Sequence, residues 1–318
     1  MPPGTEKITE MNKGLPNKIC GMIAVTLVSV LFLLVPLSGA AIKFKYITSI
    51  YTDDQGVPLK EAEGVACSNQ AHLIVADTGN GRLLRYIFKD GTVETGTVEI
   101  KTAQLSYPVK AEVNSKGDIY VLDRRKRSIV RFTPEGTFKD YVEPVGLTSP
   151  AGYVPRSFTI DREDNIYILD ILSERVLMLS PDGRYLRHLE FPQGYGFFSD
   201  ITVDFAGTVL LVDSVKGIVY SAAKLSTGFS PITKSLKEYV RFPASLTSDN
   251  RGRIYLVDKN GGSIIILGQD GSFLGRQSSM GWKEGWLNYP AQMCINDKGE
   301  IFVADTNNSR VQIFELVE

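Results

Sequence analysis

Cysteine is scarce in this chain, with three among 318 residues, so no disulfide framework carries the fold. Histidine is scarcer still, at two, and no HExxH helix, Cys-x-x-Cys pair or Gly-x-Ser-x-Gly elbow occurs. The usual signatures of zinc hydrolysis, thiol redox chemistry and serine-triad catalysis are therefore missing. Neither sign of charge dominates: 35 basic residues face 36 acidic ones, which gives no electrostatic footprint for a nucleic-acid partner.

One long apolar run is present. Residues 19–37 carry no charge, follow Lys13 and Lys18, and lead into Ser38, Gly39, Ala40 and Ala41. A basic region, an apolar region and small residues in that order read as a secretory signal, with cleavage expected after Ala40. The alternative is an uncleaved membrane anchor, because the run is near spanning length. Met11 opens a more typical signal than Met1. Taking residues 1–40 away leaves 32 basic and 34 acidic residues, a net charge of −2. The expectation is an exported protein, periplasmic or extracellular, in contact with a membrane only if the segment is retained.

The rest of the chain repeats. Three or four apolar residues ending in Asp recur six times, at Asp77, Asp123, Asp170, Asp213, Asp258 and Asp305, with spacings of 46, 47, 43, 45 and 47. Nine residues before the Asp stands Asn114, Asp161, Asp204, Asp249 or Asn296, and Asn69 lies eight before in the first copy. Six residues earlier again, Pro108, Pro155, Pro243 and Pro290 recur, broken only by Glu63 and Phe198. Each unit reads as four short strands. Gly117, Gly207, Gly252 and Gly299 sit in the first turn, and Asp-Gly or Glu-Gly pairs at 90–91, 135–136, 182–183 and 270–271 mark a later hairpin. Four antiparallel strands per unit of this length make a propeller blade, so the expected fold is all-β, a six-bladed β-propeller over 41–318.

These residues resemble the NHL-repeat family, whose repeat runs from Pro through a short strand to Asp or Asn, Gly, an apolar run to Asp, and Asn-x-Arg. The last part appears as Asp77, Asn80, Gly81, Arg82 and as Asp305, Asn308, Ser309, Arg310; Arg127 and Arg175 keep the Arg alone, while Lys216 and Ser263 stand near that place in the fourth and fifth copies. No Trp-Asp pair occurs, against a WD40 propeller. The sixth unit ends after its third strand, and Lys43 to Thr52 is the strand expected to close the ring.

The repeated Asp residues read as architectural, since catalysis is needed once and not six times. The longer loops share one face of the ring, the upper one, and hold Tyr153, Tyr195, Phe197, Trp282, Trp286, Tyr289 and the basic run 124–127. Arg125, Lys126, Tyr195, Phe197, Trp282 and Trp286 are the expected binding residues for a protein, peptide or polysaccharide partner. No cofactor is expected. The rival reading is a metal-dependent lactonase or esterase, as in the six-bladed gluconolactonase and lactonase families, with Glu63, Glu112 and Asp200 as candidate ligands. The channel-facing set it would use, Val65, Lys110, Ser157, Asp200, Ser245 and Gln292, holds a single carboxylate and a Lys, thin for a hard cation. Cys67 and Cys294 occupy equivalent places in the first and sixth units, and rotational symmetry predicts that they stay unpaired.

Overall fold

The computed structural model describes residues 42–68, 71–147 and 152–317. The segment 1–40, with its expected signal, and Asn69 lie outside the described residues. The described chain forms six antiparallel blades of four strands, and in blade 1 a fifth, two-residue strand, Thr92–Val93, also pairs with Arg82–Lys89. From the channel outward, blade 1 comprises Gly64–Cys67, His72–Asp77, Arg82–Lys89 and Val98–Ile100, and blade 2 Pro108–Val113, Ile119–Asp123, Ser128–Phe132 and Phe138–Tyr141. Blade 3 follows with Pro155–Ile160, Ile166–Asp170, Arg175–Leu179 and Tyr185–Glu190, and blade 4 with Phe198–Val203, Val209–Asp213, Ile218–Ala222 and Ser230–Pro231. Blade 5 is Pro243–Ser248, Ile254–Asp258, Ser263–Leu267 and Phe273–Gln277. Blade 6 takes Met293–Ile295, Glu300–Asp305 and Arg310–Val317 from the C-terminal end and Lys43–Ile50 from the N-terminal end. That last strand runs antiparallel to Arg310–Val317, pairing Lys43 with Val317 and Ile50 with Val311, and closes the ring as expected.

The apolar runs ending in Asp are buried along their whole length because blades stack on both faces of each sheet. The core is accordingly divided into six clusters, each filled from two adjacent blades. Val65, Val75 and Leu84 of blade 1 pack with Phe302, Val311 and Ile313 of blade 6, for instance, and bury the seam where the chain ends meet.

The anchors have structural reasons. Asn114, Asp161, Asp204, Asp249 and Asn296 each accept two backbone N–H bonds through Oδ1, from the residues two and four positions on, and so shape the turn between the first two strands. The glycine of that turn has φ between 78° and 85° in blades 2, 4, 5 and 6, and Asp164 takes the same left-handed conformation in blade 3. All six repeated Asp residues are buried and accept backbone N–H bonds from the loop entering their own blade, at Lys60, Tyr107, Val154, Phe197, Phe242 and Asn288. Asp77, Asp170 and Asp305 also accept Nε of Arg82, Arg175 and Arg310. Arg127 is not the fourth member of this set. It lies one residue short, exposed on a turn with φ 54°, and Ser128 takes the inward place.

The expectation for the cysteines is overturned: Cys67 and Cys294 form a disulfide, with Cα atoms 6.0 Å apart. Rotational equivalence requires all six first strands to be copies of one another. In blades 2 to 5 these strands have six residues and a register shift at their start, whereas blades 1 and 6 have paired strands of four and three residues without that shift. The seam is where the rotational equivalence fails, and there the two side chains meet.

Candidate site at the upper mouth of the channel

The first strands line a central channel, and one position from each makes a belt across it: Val65, Lys110, Ser157, Asp200, Ser245 and Gln292, all buried. Lys110 Nζ reaches from blade 2 past blade 3 to Asp200 of blade 4, at 2.5 Å from Oδ1, and donates to Ser157 Oγ at 3.0 Å. Ser157 Oγ also donates to Asp200 Oδ1, while Oδ2 accepts Ser245 Oγ at 2.6 Å and the Leu246 N–H at 3.0 Å. Gln292 fills the opposite side, accepting the Val65 and Ala111 N–H groups and donating to Ala111 O. A buried charge stands only when paired and hydrogen-bonded, and Asp200 is both.

The candidate metal ligands do not converge. Glu63 is held at the rim by Arg124, with Nη2 to Oε2 2.9 Å. Asp200 spends its lone pairs on the belt, and Glu112 lies a turn of strand below it, 3.8 Å from Lys110 Nζ. An ammonium already compensates the one belt carboxylate, so this donor set does not fit a hard divalent cation. Among the described residues no group of three His, Cys, Asp or Glu side chains is placed to hold a metal.

Below the belt, Glu112 shares a layer with the disulfide and with Thr159, Thr202 and Thr247. Burial pushes its carboxyl up to about 7 from 4.5, against the opposing pull of Lys110 and with Asp200 adding to the rise. Lower still, the first turns of the blades surround a cavity of about 580 Å³. Arg162 lies over the Phe205 ring there, 3.7 Å from its centroid, and 3.8 Å from Asp297 of blade 6.

Above the belt is a smaller cavity of about 100 Å³, whose lining includes Glu63, Arg124, Arg156, Phe242 and Lys259 with the belt as floor. Arg124 and Arg125 both lie against the Tyr107 ring, at 5.7 and 5.9 Å. Arg156 lies on the Phe197 ring at 4.9 Å, and its pKa is lowered by burial first and by Arg124 next.

The six expected binding residues do not form one cluster. Arg125 and Lys126 belong to the upper turn of blade 2, where Lys126 Nζ is bonded to Ala103 O at 2.8 Å. Tyr195 is mainly a lid on the core, stacked 5.0 Å from Phe198. Phe197 is half-buried beneath Arg156. Trp282 and Trp286 are 79% and 43% exposed, on a loop that reaches the upper turns of blades 5 and 6. This loop is pinned: Arg310 Nη2 donates to Lys283 O and Trp286 O, Gln312 to Trp286 O, and Asn308 to Gly281 O. Sequence reasoning missed Arg156 and Lys259 as site residues. Their signal was a charge at a repeat position that is uncharged in most other blades: Gly64, Val109, Ser199, Ala244 and Ala291 for Arg156, and Thr78, Ile171, Ser214 and Thr306 for Lys259.

This architecture defines a class, the six-bladed propeller with a plugged channel and elaborated upper loops, and comparison with known proteins gives the repeat type. The NHL repeat family matches residues 287–314. The NHL repeat-containing protein 3 of Mus musculus is 27% identical over 179 residues, 50% of this chain, and the human protein of that name is 26% identical over 157 residues. The chain spans about half the length of these relatives, 48% and 45%. Among solved structures, a gluconolactonase of Xanthomonas campestris superposes with a TM-score of 0.62 at 14% identity, covering 87% of this chain and 89% of that one. The chain is a six-bladed β-propeller that carries an NHL repeat at residues 287–314 and is similar to NHL repeat-containing proteins over about half its length.

Proposed function

We propose that the protein is an exported binding module that holds a protein, peptide or polysaccharide on the upper face of its propeller. The observation that carries this reading is Trp282, 79% exposed on a loop that Arg310, Gln312 and Asn308 fix from below. A large aromatic held open to water on a rigid support loses little entropy on binding and buries much apolar area, which is how interface anchors work. Met280, Trp286 and Tyr289 of the same loop are exposed as well. The lactonase reading has only a likeness of fold behind it, and the Lys110–Asp200 pair stands where it would need a cation.

The test uses the purified protein against extracellular proteins and arrayed glycans, with Trp282→Ala alongside. A partner bound by the wild type and weakened by about 2 kcal/mol or more in the variant agrees with the reading. Equal binding by both contradicts it. Export is tested separately, by the mass and cell fraction of the native protein.

A further inference from the structure

We infer that the upper mouth of the channel is a carboxylate-binding site built on Arg156, with Lys259 and Arg124 beside it. The lining of this small cavity holds four cations, Lys110, Arg124, Arg156 and Lys259, against two carboxylates, Glu63 and Asp200. The carboxylates are committed. Asp200 takes Lys110 at 2.5 Å and Glu63 takes Arg124 at 2.9 Å. Arg156 and Lys259 are left with no carboxylate within ion-pair distance among the described residues. Arg156 makes no hydrogen bond there either, and its buried Nε is one of the few side-chain polar atoms without a partner. A guanidinium in that state is costly unless something supplies acceptors.

The repeat itself does not require these cations. The position of Arg156 is Gly64, Val109, Ser199, Ala244 and Ala291 in the other blades. It falls at the register shift that opens the first strand, between Pro155 and Ser157, where an extra residue re-aims a side chain. Arg124 and Lys259 stand directly after a repeated Asp. The equivalent Thr78, Ser214 and Thr306 bind the carbonyls of Pro108, Pro243 and Ala62 in the next blade, at 2.7, 2.5 and 2.9 Å. Arg124, Arg156 and Lys259 all line one cavity, whereas Ile171, the remaining residue at the position after the Asp, is exposed outside it.

The geometry selects the anion. Phe197 lies against the Arg156 guanidinium, 4.9 Å from ring centroid to Cζ, and the planar guanidinium fork matches a carboxylate. A dianion such as phosphate would carry its second charge toward Asp200 and Glu63. A free sugar acid, a free dicarboxylate or an acidic side chain of a docked chain presents the same group to this site.

The inference is tested by calorimetric titration of the purified protein with glucuronate, succinate, N-acetylglutamate amide and inorganic phosphate. At least one carboxylate should bind saturably, Arg156→Gln should weaken it tenfold or more, and Lys259→Gln about threefold. The preferred carboxylate names the source. No saturable binding, equal affinity in Arg156→Gln, or a preference for phosphate overturns the assignment. If Arg156→Gln does not melt cooperatively, Lys259→Gln decides, with unchanged affinity counting against the site. The site lies on the face assigned to partner binding and rests on that reading only for its biological use. The titration uses small carboxylates and no partner, so its failure is told apart from failure of the partner reading, which the partner screen tests.

Discussion

The ammonium of Lys110 lies 2.5 Å from the carboxylate of Asp200, which ties blade 2 to blade 4 across the channel with Ser157 of blade 3 between them. Both side chains are less than a tenth exposed, so neither charge is supported by bulk water. Removing one partner strands the other. Lys110→Met should lower unfolding free energy by about 3–5 kcal/mol, and adding Asp200→Asn should recover a large part of the loss. Denaturant unfolding of the two single variants and the double variant checks this: losses that simply add would mean that the pair is not coupled.

The Cys67–Cys294 bridge joins residues 227 apart and fastens blade 1 to blade 6. Long-range cross-links act mainly by constraining the unfolded chain. Reduction, or the double change Cys67→Ser and Cys294→Ser, should lower stability by about 2–4 kcal/mol. Peptide mapping after alkylation without reductant should find neither thiol labelled. Labelling of both in protein recovered from an oxidising compartment would refute the bridge.

Glu112 gives stability a pH dependence of unusual sign. Its native carboxyl titrates at about 7 against 4.5 for an ordinary glutamate, so between those values the native protein holds a proton that the unfolded chain has released. Stability contributed by this group therefore falls as pH rises through that window and is constant above it. A quarter of the side chain faces the channel, which keeps the loss to about 1–2 kcal/mol, below the full value of the shift. Glu112→Gln should flatten the difference between melts at pH 5 and pH 7.5, and an unchanged profile would show that Glu112 is not the group responsible.

Local chemistry made most of the fold legible. The Asn or Asp of the first turn in blades 2 to 6, the glycine after it in four of them and the buried Asp after each apolar run act within their own blade, so their spacing in the sequence carries their role. Ring closure by Lys43–Ile50 followed from the missing fourth strand of blade 6. The channel was harder, because its contacts join residues that share no local pattern: Lys110 meets Asp200 90 positions away, and Arg156 meets Phe197 of the next blade. Assuming strict symmetry also hid the disulfide, since the seam is the one place where first strands differ. Of the expected upper-face residues, Trp282 and Trp286 are exposed, Tyr195 packs on Phe198, and Phe197 lies against Arg156.

Hydrogen exchange of the protein with and without its captured partner tells whether the upper face is the binding face. Protection should appear in the loop 278–289, in the residues around 194–198 and in the upper turns that begin at Asp123 and Asp258. The lower turns at 114–117, 161–164 and 204–207 should exchange at the same rate in both states. Protection of those lower turns with no change in 278–289 would place the partner at the opposite mouth and contradict the account.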